Sequence, residues 1–228
     1  ECGDCKACDW TSCEDDVGFL LSITKSVKES LLVDSDRFYL LGNSNGGSMV
    51  QRLGCDYPEH FAAVGIMIYQ MPPGHACGPR ETLPMLHYFG EQDDGVPPTG
   101  LPSPYGWVYT SAAENTRVWA ETMGCNGPAV PWQTVLTQEH DLQCEAYTDC
   151  QSEGIAVVSC GDPTAEHEWA AQRIEAIPAD CVAPAQQQDL PRQPVCPPIS
   201  PVEERWGMEL VWQFFSQHSR SSSLASIR

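Results

Sequence analysis

Basic residues are scarce in this chain. Twelve Lys and Arg stand against 31 Asp and Glu, a formal charge of −19 over 228 residues. Such a chain offers no basic face to a phosphate backbone or an anionic bilayer, so neither nucleic acid nor a membrane surface is an expected partner. Long apolar runs are lacking too. The longest, Phe61 to Tyr69, falls far short of the roughly 20 residues a membrane-spanning helix needs. There is no internal repeat, no Asn-x-Ser/Thr acceptor for N-glycosylation and no recognisable leader peptide. The chain opens on Glu1 instead of Met, so an upstream part is expected to have been removed or to lie outside this sequence.

Cysteine, by contrast, is abundant, with 12 residues in an α/β-type sequence. An even, high count suits disulfides in an oxidising compartment, and secretion is the expected localisation. Cys2, Cys5, Cys8 and Cys13 crowd the N-terminus. They suit loop disulfides better than a zinc or iron–sulfur site, because the spacing departs from the runs that hold clusters. Cys125, Cys144, Cys150 and Cys160 are expected to form two disulfides, with three pairings open.

The length suits one domain with a sizeable core. A single catalytic domain is expected over 1–218, with a Pro-rich excursion at 176–202 and a disordered tail at 219–228. Acidic residues 14–16 start a helix whose Val17, Leu20, Leu21, Thr24, Val27 and Leu31 share a face. Strands are expected at Phe38–Leu41, Phe61–Tyr69, Pro84–Gly90, Trp132–Leu136, Cys144–Cys150 and Ile155–Cys160. Helices are expected after Ser44, over 111–122 and over 203–218. Alternation of this kind predicts a mostly parallel sheet flanked by helices.

The densest signal lies at Phe38-Tyr-Leu-Leu-Gly-Asn-Ser-Asn-Gly-Gly47. A β-prone run enters the G-x-S-x-G pentapeptide Gly42 to Gly46 and leaves it as a helix. That context makes Ser44 a candidate nucleophile on a sharp strand-to-helix turn. A serine nucleophile needs a histidine to take its proton and a carboxylate to orient the imidazole. Asp93 or Asp94, after the Pro84–Gly90 strand, and His167, after the last strand, follow Ser44 in the order serine, acid, histidine. His140 is the rival base and reads as part of an exposed hairpin loop. The backbone N–H of Asn45, next after the serine, is the expected oxyanion donor.

The residues around these positions also resemble a family. Asp15–Leu20, Val33–Tyr39, Gly42–Met49, Phe61–Val64, Gly90–Pro97, His167–Trp169 and Val211–Phe215 follow, in order, stretches of the extracellular polyhydroxybutyrate depolymerase and feruloyl esterase-like α/β-hydrolases. The resemblance implies an α/β-hydrolase fold and a Ser44–His167–Asp93 triad, selecting Asp93 over Asp94. It also implies a role for Trp169 at the substrate, with Glu166 standing where the family has glycine before the histidine. The implied substrates are polymeric or oligomeric esters, either polyhydroxyalkanoates or feruloyl and acetyl esters of polysaccharides, with no cofactor. That family places several strands before the nucleophile, and a loop there supplies a second oxyanion donor. Here only a cysteine-rich stretch and one helix precede Phe38. The expectation is therefore a serine esterase domain lacking its N-terminal strands; the alternative is a disulfide-stapled binding module that has lost activity.

Overall fold

The computed structural model describes residues 14–73, 83–150, 157–169 and 206–220. The N-terminal cysteine cluster, the 176–202 excursion and most of the tail lie outside these residues. Six strands form one sheet in the order β1-β2-β3-β6-β5-β4. The parallel part comprises β1 (Tyr39–Asn43), β2 (Ala63–Met67), β3 (Met85–Gly90) and β6 (Val157–Asp162). β5 (Gln143–Tyr147) and β4 (Ala129–Pro131) extend it antiparallel. Among the described residues β1 is therefore an edge strand. The α/β arrangement expected from the sequence is the one observed.

Strand alternation divides the core between two faces. Val64 and Ile66 of β2 point one way, to Val50 and Leu53 of α2 (Asn45–Asp56) and Trp119 and Ala120 of α3 (Ala112–Thr122). Ala63 and Met67 point the other way, to Leu210, Val211, Phe214 and Phe215 of α5 (Trp206–Phe215). Every residue of β2 is buried, which explains its unbroken apolar run. Trp119 closes the first face: its ring is fully buried and its indole N–H donates to the Leu83 carbonyl at 3.2 Å.

Two of the long helices start where the sequence supplies side-chain caps. Asp15 accepts from the Gly18 N–H at the start of α1 (Asp16–Ser30), and Ser111 accepts from the Glu114 N–H at the start of α3. α1 packs only a shallow stripe of Val17, Leu20 and Leu21 and ends at Ser30, leaving Leu31 exposed instead of on the packed face. Lys28 ties it down by donating to the His60 carbonyl at 3.1 Å from above the Phe38 ring.

The expected strand at Trp132–Leu136 is not there. β4 ends at Pro131, and Thr134 opens a short helix, α4 (Val135–Glu139). The two threonines of Thr134-Val-Leu-Thr137 form a reciprocal capping box, in which each side chain accepts from the other's backbone N–H. Local capping thus overrides the β-branched composition. His140 accordingly sits at the C-cap of α4, half-buried and stacked 4.0 Å from the Trp206 ring, not in an exposed hairpin loop.

Cys125 pairs with Cys150 and Cys144 with Cys160, one of the three pairings left open. Register selects the second bond, because Cys144 and Cys160 lie directly opposite on β5 and β6.

Candidate active site

Sheet register sets the site. Asn43 of β1 lies beside Met67 of β2, which lies beside Tyr88 of β3, which lies beside Cys160 of β6. The loops leaving β1, β3 and β6 therefore emerge together at the carboxyl ends of the parallel strands, where open α/β sheets hold ligands.

Ser44 is the first residue past β1, with φ 52° and ψ −122°, a conformation unusual for a side-chain-bearing residue. Two contacts hold it there. Its N–H donates to the Met67 carbonyl at 2.9 Å, and its own carbonyl accepts from the Ser48 N–H in the first turn of α2. The turn is closed so tightly that a β-carbon on Gly42 would collide with the Gly46 carbonyl. One on Gly47 would lie 2.9 Å from Tyr69 Cβ, whereas one on Gly46 would meet open space. The steric demand at this turn thus falls on Gly42 and Gly47. The Asn45 N–H opens α2, in the helix's electropositive first turn.

Ser44, His167 and Asp93 are joined in series. Ser44 Oγ lies 2.9 Å from His167 Nε2, and His167 Nδ1 lies 2.7 Å from Asp93 Oδ2. Asp93 Oδ1 accepts from the Val96 N–H at 2.8 Å, so both carboxylate oxygens are engaged. The Asp93 side chain is 1% exposed and that of His167 38%, which leaves the acid dry and the imidazole edge reachable. A carboxylate so placed fixes the tautomer: Nδ1–H donates a hydrogen bond to Asp93, leaving Nε2 free to accept from the Ser44 hydroxyl. Asp94 is exposed and takes no part. Trp169 packs half-buried against the α5 face of the core, with its indole nitrogen buried.

Sequence reasoning missed Asp162. Its Oδ1 accepts from the Thr164 N–H, the Thr164 hydroxyl and the Ala165 N–H, and its Oδ2 accepts from the Tyr88 hydroxyl at 2.8 Å. One carboxylate thereby coils the loop that carries His167. Burial, reinforced by this acid, pushes the Tyr88 phenol strongly up, so it stays a neutral donor. The available signal was Asp162-Pro-Thr-Ala165, a sequence suited to an Asx turn.

Tyr69 and Tyr109 are buried near the candidate site, their rings edge-on at 5.6 Å. The Tyr69 side chain hydrogen-bonds Ser48, and burial raises its pKa. Tyr109 is pushed up to about 12, first by burial and then by Tyr69 and Asp93. Both phenols are therefore neutral across the range in which a histidine base works. Among the described residues no cluster of His, Cys, Asp or Glu is arranged to hold a metal ion.

No protein-family model matches the chain. It is 29% identical over 154 residues to feruloyl esterase B of Piromyces equi, a match covering 64% of this chain and 27% of that enzyme. It is 33% identical over 87 residues to NocK of Nocardia uniformis subsp. tsuyamanensis, whose name assigns it as an esterase; the match covers 38% of this chain and 25% of NocK. The chain thus spans about a quarter of each curated relative. A solved structure of a thermostable esterase overlaps 48% of this chain and 25% of its own, at 21% identity and a TM-score of 0.32, too slight a likeness to carry weight.

Proposed function

We propose that this chain is the catalytic part of a serine esterase. The observation that carries the reading is the hydrogen-bonded series Ser44–His167–Asp93, at 2.9 and 2.7 Å, on a strand-to-helix turn. In this scheme Ser44 Oγ attacks the ester carbonyl as its proton passes to His167 Nε2. Asp93, dry and held by Val96, stabilises the imidazolium through Nδ1–H. The oxyanion of the tetrahedral intermediate takes a hydrogen bond from the Asn45 N–H. His167 then gives its proton to the leaving alcohol oxygen, and the C–O bond breaks to leave an acyl-serine. Water, deprotonated by His167, releases the acid and restores Ser44. No step calls for a metal or organic cofactor.

The esterase names of the two relatives support this chemistry. Feruloyl or acetyl esters of polysaccharides, and polyhydroxyalkanoates or their oligomers, are the proposed substrates. The disulfides Cys125–Cys150 and Cys144–Cys160 favour secretion. The test is labelling by a fluorophosphonate probe. Wild-type protein should label and Ser44→Ala should not; a folded wild type that refuses the probe would sink the proposal. Rates on p-nitrophenyl butyrate against methyl ferulate then sort the acyl group.

A further inference from the structure

Between the acid loop and α3 the chain makes a long excursion with an unusual composition. From Gly95 to Ala113 no residue is charged, in a protein that is 19% charged and carries a formal −19. Both ends of the excursion are rooted in the site. At the first, the Val96 N–H donates to Asp93. At the second, Tyr109 packs on Tyr69, and the Thr110 N–H and hydroxyl both donate to the Met71 carbonyl.

The tip between these roots is built, not slack. Ser103 is buried; its N–H donates to the Trp107 carbonyl at 2.7 Å, and its own carbonyl accepts from the Gly106 N–H at 2.9 Å. Gly106, at φ +84°, completes the turn, and the Tyr105 N–H donates to Ser103 Oγ. This turn points apolar groups at solvent: Tyr105 is 77% exposed, Leu101 63%, Val108 50% and Trp107 41%.

Single exposed apolar residues are ordinary, but a contiguous uncharged set on a hydrogen-bonded turn, rooted at one end on Asp93 and at the other on Tyr69 and Met71, is not. Other exposed apolar residues stand among charges: Phe19 and Ile23 share α1 with Lys25 and Glu29, Leu31, Leu32 and Val33 lie between Glu29 and Asp34, and Met208 and Trp212 share α5 with Glu209. An acidic or basic polymer would find no counter-charge on the tip, and the net charge would repel the acidic one.

We infer that the Leu101–Val108 tip is an adsorption surface, which lays the mouth of the Ser44 site against an uncharged, water-insoluble ester phase. The inference deepens the esterase reading and rests on it for its consequence, since adsorption matters only if Ser44 turns over what the tip holds. Attraction of this kind is hydrophobic, so ammonium sulfate strengthens it, whereas an ionic contact weakens with salt.

The full chain carrying Ser44→Ala allows adsorption to be read without turnover. On a tributyrin emulsion it should partition to the droplets, and more so with ammonium sulfate. Leu101→Asp/Tyr105→Asp in that background should lower the partition at least tenfold, while Tyr105→Phe and the distant Phe19→Asp retain it. With Ser44 restored, the ratio of emulsion to dissolved p-nitrophenyl acetate turnover should fall at least tenfold in the double variant. Undiminished adsorption by the double variant, loss of adsorption in Phe19→Asp, or retention on insoluble xylan in place of the emulsion would each overturn the inference. Wild-type protein that adsorbs through the tip but hydrolyses neither ester would leave the surface standing and remove the esterase reading instead.

Discussion

Gly90 and Glu166 are pressed together at the centre of the site: a β-carbon on the glycine would collide with the Glu166 carbonyl oxygen and with that of Ala165 beside it. The acid loop and the histidine loop thus share one van der Waals surface. The Gln92 N–H, donating to the Ala165 carbonyl at 3.0 Å, and the Glu91 N–H, donating to that of Asp162 at 2.9 Å, lace it together. Glu166 stands where the resembled family has glycine, yet it does not adopt a left-handed backbone and contributes its carbonyl to this contact. The Glu166 side chain itself is exposed.

Gly90→Ala should therefore push His167 away from Asp93. A displacement near 1 Å in a catalytic pair lowers turnover by about 10²-fold, and overpacking of this kind costs about 1–3 kcal/mol in stability. Measuring kcat alongside a urea midpoint checks both. Wild-type kcat in the variant would mean that the two loops can part without disturbing the pair.

The two acidic neighbours should separate cleanly. Asp93→Asn leaves His167 without a tautomer-fixing partner and should lower kcat by about 10⁴-fold. Asp94→Asn, on an exposed side chain, should change it by less than about threefold, since surface substitutions are usually mild. Equal losses would reassign the acid.

At Ser44 the backbone itself makes a prediction. Both Ser44→Ala and Ser44→Gly remove the hydroxyl, but only glycine is at ease at φ 52°. The glycine variant should be the more stable of the two by about 1 kcal/mol or more, read as a higher melting temperature by circular dichroism. An alanine variant that melts at the same temperature or above would show that the turn is unstrained.

Acid should weaken the fold through two histidines outside the candidate site. Burial lowers His87 to about 4 and His218 to about 4. An unfolded chain titrates these groups near 6.5, so between about pH 6.5 and 4 it binds protons the native protein refuses. Stability is therefore full above that window and falls as pH drops through it, by up to about 3 kcal/mol per group. Urea midpoints at pH 7 and 4.5 should differ accordingly, and His87→Gln should shrink the difference. A midpoint independent of pH across this range would contradict the burial of both rings.

Each of the two disulfides between described residues should contribute its own portion of stability. The bonds close loops of 25 and 16 residues, each worth about 3 kcal/mol in a chain-entropy account. Cys125→Ser/Cys150→Ser and Cys144→Ser/Cys160→Ser, compared by urea midpoint with and without dithiothreitol, should each lose one portion. A reductant that leaves the wild-type midpoint in place would show that neither bond contributes.

Much of this architecture was legible because its signals were local or ordered. The apolar run into Gly42-Asn-Ser-Asn-Gly46 marks a strand-to-helix turn, and Ser44, Asp93 and His167 follow β1, β3 and β6, whose carboxyl ends the parallel sheet brings to one side. What escaped depended on contacts across the chain or on rival local chemistry. Thr134 and Thr137 look β-prone until their side chains are seen capping one another. Asp162 looks like a turn residue until Tyr88 is found on its other oxygen. Nothing in the spacing tells which glycine lies against Tyr69, so Gly47 was indistinguishable from Gly46. The cysteine pairing stayed threefold ambiguous because β5 and β6 had no register until they were paired.

That last pairing has a consequence for the folded sheet. Cys144 faces Cys160 only in the native register, and a slip of one residue would send the two sulfurs to opposite faces of the sheet. Once closed, the bond therefore holds β5 and β6 to that alignment. In the folded chain it acts as a register pin on the strand that leads to His167.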